Sequence, residues 1–128
     1  MIIFGDIHGE FASMSWHIKQ ILKKYPDEKN VLCCGDFGYW PGRVRFQDIK
    51  IPEDMKIYFC DGNHERHDLL ETFKEDSTAI VPNVFYQKRG SVVNIEGKQV
   101  LFFGGANSID KEWRTPYLDW FPEENILE

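Results

Sequence analysis

The chain alternates between two textures. Residues 1–5 (MIIFG) form an unbroken apolar run, and similar runs recur in NVLCCGD at about 30–35 and KIYFCD at about 56–61. Uninterrupted runs of this length predict strands covered on both faces, as in parallel sheets. Between the first two, Phe11, Met14, Ile18, Ile21, Leu22 and Tyr25 recur at helical spacing. They predict a helix over about 11–25, with Lys19, Lys23 and Lys24 outward and Pro26-Asp27 ending it.

Beyond the second strand, FGYWPGR reads as a loop, because Gly38, Pro41 and Gly42 break both periods. GNHERHDLLETFKED reads as a loop turning into a helix with Leu69, Leu70 and Phe73 inward, and Pro82-Asn83 breaks the chain again. NVFYQKRG predicts a short strand, and SVVNIEGKQVLFFGG a β-hairpin turning at Glu96-Gly97-Lys98. From Ala106 onward the text is loop-like and aromatic without a period. Strand, helix, strand, loop, strand, helix is the order of a mostly parallel α/β sheet, whose ligand crevice lies outside the carboxyl ends of its strands.

Length and charge narrow the picture. The 128 residues suit one domain over 1–128. A net charge of −6 with no basic stripe argues against nucleic acid as a surface-bound partner. A small phosphorylated substrate stays open, since a bound cation would reverse the local field. No apolar stretch approaches the roughly 20 residues of a membrane span, and no basic leader precedes the first strand, so a cytoplasmic protein is expected. Cys33, Cys34 and Cys60 all fall in predicted strands, without a CxxC pair, and read as reduced, buried small hydrophobes.

Three strand ends carry the chemistry: IIFGDIHG, VLCCGDFG and YFCDGNHE. Each apolar run stops at an aspartate accompanied by glycine, which permits tight turns and close approach to a ligand. Asp6, His8, Asp36, Asp61, Asn63 and His64 are thereby delivered to one crevice. Converging carboxylates and imidazoles need a cation between them, and mixed oxygen and nitrogen donors suit Mn²⁺, Fe, Zn²⁺ or Co²⁺. Asp6-x-His8 puts both side chains on one side of an extended segment. Asp36 can bridge two ions about 3.5–4 Å apart, Asn63 offers a carbonyl oxygen, and His64 can give a proton to a leaving group.

Asp6-Ile7-His8, Gly35-Asp36 and Gly62-Asn63-His64-Glu65, in that order, resemble the signature of the calcineurin-like metallophosphoesterases, and GGANSIDKEWR is similar to the short bacterial and phage members. The resemblance implies the front portion of an αββα sandwich: a mostly parallel first sheet with flanking helices, then a hairpin opening a second sheet. It implies Asp6, His8 and Asp36 on a first divalent transition metal, Asp36 and Asn63 on a second, with Mn²⁺ favoured, and His64 beside the phosphoryl group. The implied reaction is attack by a metal-activated hydroxide on a phosphate mono- or diester. The chain lacks the later histidine and G-H-x-H motifs of longer members. An impaired phosphoesterase is therefore expected, with a metal- or protein-binding scaffold as the alternative. An incomplete second sheet also makes a homodimer an expectation.

The remaining candidates carry plainer expectations. His17 reads as a surface or boundary residue, and His67 as solvated or a local hydrogen-bond donor. Asp61 is an outer partner of the site or a turn cap. Arg43 and Arg66 read as solvated, Trp113, Arg114 and Trp120 as packing residues, and Trp40 as a candidate wall of the crevice. Leu127-Glu128 reads as a natural ending or as a junction with a lost tag.

Overall fold

The computed structural model describes residues 1–126; Leu127 and Glu128, with the reading placed on them, lie outside the described residues. Seven strands and two helices follow in order: β1 (Ile2–Phe4), α1 (Phe11–Lys24), β2 (Asn30–Cys34), β3 (Lys56–Cys60), α2 (His67–Leu70), β4 (Ser77–Val81), β5 (Val84–Gln87), β6 (Ser91–Ile95) and β7 (Lys98–Phe102). The first sheet runs β1-β2-β3-β5-β4, and β6-β7 form a separate hairpin. β1, β2, β3 and β5 are parallel, and β4 runs antiparallel on the edge. This is the mixed α/β arrangement, mostly parallel with a hairpin apart, that the strand textures predict.

Both faces of the central strands are covered, which is why their sequences do not alternate. On one face Phe11, Met14 and Ile18 of α1 join Val31, Cys33, Ile57 and Phe59 in the larger core. On the other, Leu32 and Tyr58 meet Ile95 and Phe102 of the hairpin. Beyond that second core the hairpin leaves Val92, Leu101 and Phe103 exposed, with Ile3 of β1. No helix among the described residues is long and apolar enough to cross a membrane.

Three details differ from the sequence reading. α2 stops at Leu70, one turn before Phe73. β4 was not predicted: its STAIV stretch is a short edge strand, whose stability comes from pairing with β5 rather than from its own pattern. The hairpin turn is the two-residue Glu96-Gly97, both in the left-handed region at φ 54° and 78°, so that Lys98 already pairs with Ile95.

Candidate metal centre

The carboxyl ends of β1, β2 and β3 meet at one place, clipped by backbone bonds. His8 N–H donates to Asp36 O at 2.7 Å and Gly9 N–H to Phe37 O at 3.0 Å. Gly38 packs its backbone directly on that of His8 and Gly9, and Gly62 lies against Asp36; a Cβ at either would overlap its neighbour. Glu65, fully buried, ties the second loop to the third by accepting the N–H groups of Phe37 (2.7 Å), Gly38 (3.1 Å) and Tyr39 (2.6 Å). Burial pushes its carboxyl up to about 8, although the Tyr39 and Phe37 amides pull the other way. The sequence reading placed Glu65 in a motif but gave it no work; only its burial shows the clamp.

Within this frame, Asp6, His8 and Asp36 each offer a donor atom, all within 4.8 Å of one another. His8 Nε2 lies 4.0 Å from Asp6 Oδ1 and 3.7 Å from Asp36 Oδ2. Both spans are too long for hydrogen bonds, yet shorter than twice a metal–ligand bond of about 2.0–2.2 Å, so one ion can touch each pair. Asp6, its side chain 80% exposed, is free to close further. All three residues sit in the left-handed backbone region, at φ 52°, 50° and 48°. Such strain in non-glycine residues costs of order 1–3 kcal/mol each and gathers where a ligand is clamped. Among the described residues no lysine or arginine ion-pairs with either carboxylate. Two carboxylates and an imidazole converging without a counter-charge fit a borderline divalent transition metal.

Asn63 lines the same cleft, of about 400 Å³, with Asp6, Asp36, Asp61 and the Gly104–Ala106 backbone. Its amide is oriented by a relay from the far end of the chain. Buried Glu124 accepts Ser108 Oγ at 2.8 Å and Ser108 N at 2.6 Å, and Asn63 Nδ2 reaches Ser108 Oγ at 3.1 Å. With its proton given to Glu124, the hydroxyl can only accept from Asn63, so Nδ2 faces Ser108 and Oδ1 keeps its acceptor capacity for the cleft. Neither Ser108 nor Glu124 is visible as a site residue in the sequence.

His64 stands edge-on to His8, ring centres 4.9 Å apart, and its N–H donates to Asp36 Oδ1 at 2.9 Å. Burial lowers its pKa below 6.5; Arg114 and His8 add to this against the pull of Asp36. Arg114, expected to be packing, brings Nη2 within 3.2 and 3.3 Å of the His64 ring nitrogens. Trp40 does wall the crevice, donating its indole N–H to His64 O at 3.1 Å.

Other expectations need correction. Cys34 is exposed at the end of β2 rather than buried, though Cys33 is buried and all three thiols are free. Of the two expectations for His67, the local hydrogen-bond donor holds and the solvated one does not: it is buried, with Nε2 donating to Gly62 O at 2.8 Å and lying 3.5 Å from Asp61 Oδ2. Asp61 is buried beneath the site, held by Arg89 at 2.6 and 3.0 Å. Burial alone would raise its carboxyl, but His67 and Arg89 hold it below the usual range. Arg66 pairs with Asp68 at 2.7 Å, whereas Arg43 is exposed and His17 is exposed as expected. Trp113 is 88% exposed, not packed, because it sits on a short turn that leaves the core.

No curated protein matches the chain. The sequence model of the family described as calcineurin-like phosphoesterase matches residues 1–128, the whole length. With three motifs on three adjacent strand ends and a mixed α/β fold to carry them, the chain belongs to the calcineurin-like phosphoesterase family.

Proposed function

We propose that this chain is a metal-dependent hydrolase of phosphate mono- or diesters, working slowly by the standard of a complete dinuclear centre. One observation carries the reading: donor atoms of Asp6, His8 and Asp36 lie within 4.8 Å at strand ends whose backbone is strained at those same residues. They would hold a first ion, and Asp36 with Asn63 a second, with Mn²⁺ the favoured metal. A divalent cation at such a site supplies Lewis acidity to a phosphoryl oxygen and acidifies a water. Asp36, with its two carboxylate oxygens, would serve both positions. The His64 imidazole offers a ring N–H as a hydrogen-bond donor to the leaving oxygen and stabilises the charge that grows there, while water supplies the proton that completes the leaving group. Among the described residues these two side chains make a thin second set, and that supports slow turnover.

The same thinness favours a second reading, a metal-binding or protein-binding scaffold with little turnover. Metal analysis of protein purified without chelator separates these readings. At least one bound transition metal is expected, and in Asp36→Asn a fall of more than about 100-fold in metal affinity and in Mn²⁺-stimulated hydrolysis of an aryl phosphate, more than the loss of a residue that only supports a ligand costs. Equal and negligible metal in both proteins would end the proposal. Bound metal without any turnover would leave the scaffold.

A further inference from the structure

Against His8 and His64, beside the metal centre, lies a second pocket of about 290 Å³. Trp40, Arg43, Arg114 and Asp119 line it with the two histidines. Its volume is at the small end for a ligand site, the size of a subsite rather than a whole pocket. Two guanidinium groups face it, and among the described residues neither is fully paired by carboxylates.

The Arg114 side chain is only 11% exposed, and Asp110 accepts its Nε at 3.0 Å. Its Nη1 donates to the Asp119 carbonyl at 3.3 Å, but its Nη2 is left against the His64 ring. An imidazole has no negative charge to offer in either protonation state, and so is a poor partner for a guanidinium desolvated to this degree. Arg43 is held over the Trp40 ring with 5.0 Å from its guanidinium carbon to the ring centre. Trp40 is itself fixed by its bond to His64 O, so the aromatic platform aims Arg43 at the same wall. The acid lining the pocket, Asp119, has Oδ1 committed to the Thr115 N–H at 2.6 Å. Planar guanidinium forks match phosphate oxygens better than any other side chain.

We propose that this pocket is a second anion subsite, which receives a further phosphoryl group of the ester cleaved next door and selects substrates carrying two linked phosphoryl groups over simple monoesters. The inference rests on the metal-centre reading for where cleavage occurs, but not for binding of the second group. Arg43 and Arg114 grip the outer phosphoryl while the inner one lies against His8 and His64.

Calorimetric titration of the full chain, purified without added metal, with pyrophosphate and with inorganic phosphate tests this. Pyrophosphate is expected to bind about tenfold more tightly or better, the worth of one added charge-assisted contact. Arg43→Ala, at an exposed position, and Arg114→Gln are each expected to cut that preference at least about threefold, and the double variant to remove it. Lys19→Ala, on the outer face of α1, should retain it. Equal binding of the two anions by the wild type, including none, overturns the proposal, as does a double variant with the wild-type preference. With Mn²⁺ present, the arginine variants should raise KM for a nucleoside diphosphate about tenfold more than KM for an aryl monophosphate. Arginine-dependent pyrophosphate binding by a chain that hydrolyses nothing sinks the hydrolase reading and leaves the subsite. Hydrolysis with the same KM ratio in wild type and double variant does the reverse.

Discussion

The ends of β1, β2 and β3 and the segment from Gly104 to Ile126 both border the site, yet they are held in opposite ways. The strand ends are fixed by parallel register and short backbone bonds, as between His8 and Asp36 or Gly9 and Phe37. Among the described residues the later segment has only 3₁₀ turns, at Lys111–Trp113 and Pro122–Glu124, and beyond the Gly105 N–H bond to Asp61 O at 2.8 Å it hangs mostly on side chains. Arg89 carries much of that weight, reaching the carbonyls of Glu123, Glu124 and Asn125 at 2.6, 3.2 and 2.8 Å. Backbone-built structure tolerates most substitutions outside its clamps. Structure built from single side chains is lost one residue at a time. The candidate metal donors belong to the first kind, whereas Arg114 and the orientation of Asn63 depend on the second.

The largest break in this comparison should come at the clamp. Glu65→Ala leaves three buried N–H groups without an acceptor, at about 1–3 kcal/mol each for groups that do not find water. A loss of about 3–5 kcal/mol in denaturant unfolding is expected, with Glu65→Gln losing about half as much. A loss under about 1 kcal/mol for the alanine variant would show that the strand ends hold without Glu65.

Ser108→Ala probes the side-chain half. It unseats the Asn63 amide and leaves the Glu124 carboxylate with the Ser108 backbone N–H alone, so affinity for a second metal ion should fall about tenfold, as when a residue supporting a ligand is removed. First-ion affinity should move less than about twofold, because Asp6 and His8 have no link to the relay. Equal effects on both ions would mean that Asn63 is not held by Ser108.

A smaller effect is expected from pH. Burial would lower the His67 imidazole, but Asp61 and the Gly62 carbonyl outweigh it and hold the pKa above 6.5. A raised folded pKa gives stability that is complete below about 6.5 and lost as pH rises through the folded value. Unfolding free energy should therefore decline with rising pH above that point, and His67→Gln should flatten the decline. An unchanged slope in the variant would assign the titration elsewhere. Smallest of all, Trp113→Ala should alter stability by less than about 0.5 kcal/mol, as at other exposed positions; a larger loss would show the later segment to be packed more firmly than its exposure indicates.

What the amino-acid order determined is local and repeated. Three apolar runs ending in glycine-flanked Asp6, Asp36 and Asn63 are complete signals in themselves, since a strand buried on both faces and the turn after it are written in consecutive residues. The helix over Phe11–Lys24 is legible for the same reason, its apolar face returning every turn. Tertiary structure alone decided the rest. β4 exists because β5 pairs with it, Glu65 is a clamp because three amides from another loop surround it, and Glu124 orients Asn63 through Ser108 across 61 positions of chain, from 63 to 124. Arg114 meets His64 across 50 positions. Hydrogen bonds and ion pairs over such distances leave no period in the sequence. Their partners are chosen by which surfaces the fold brings together, and that choice is made only once the core has formed.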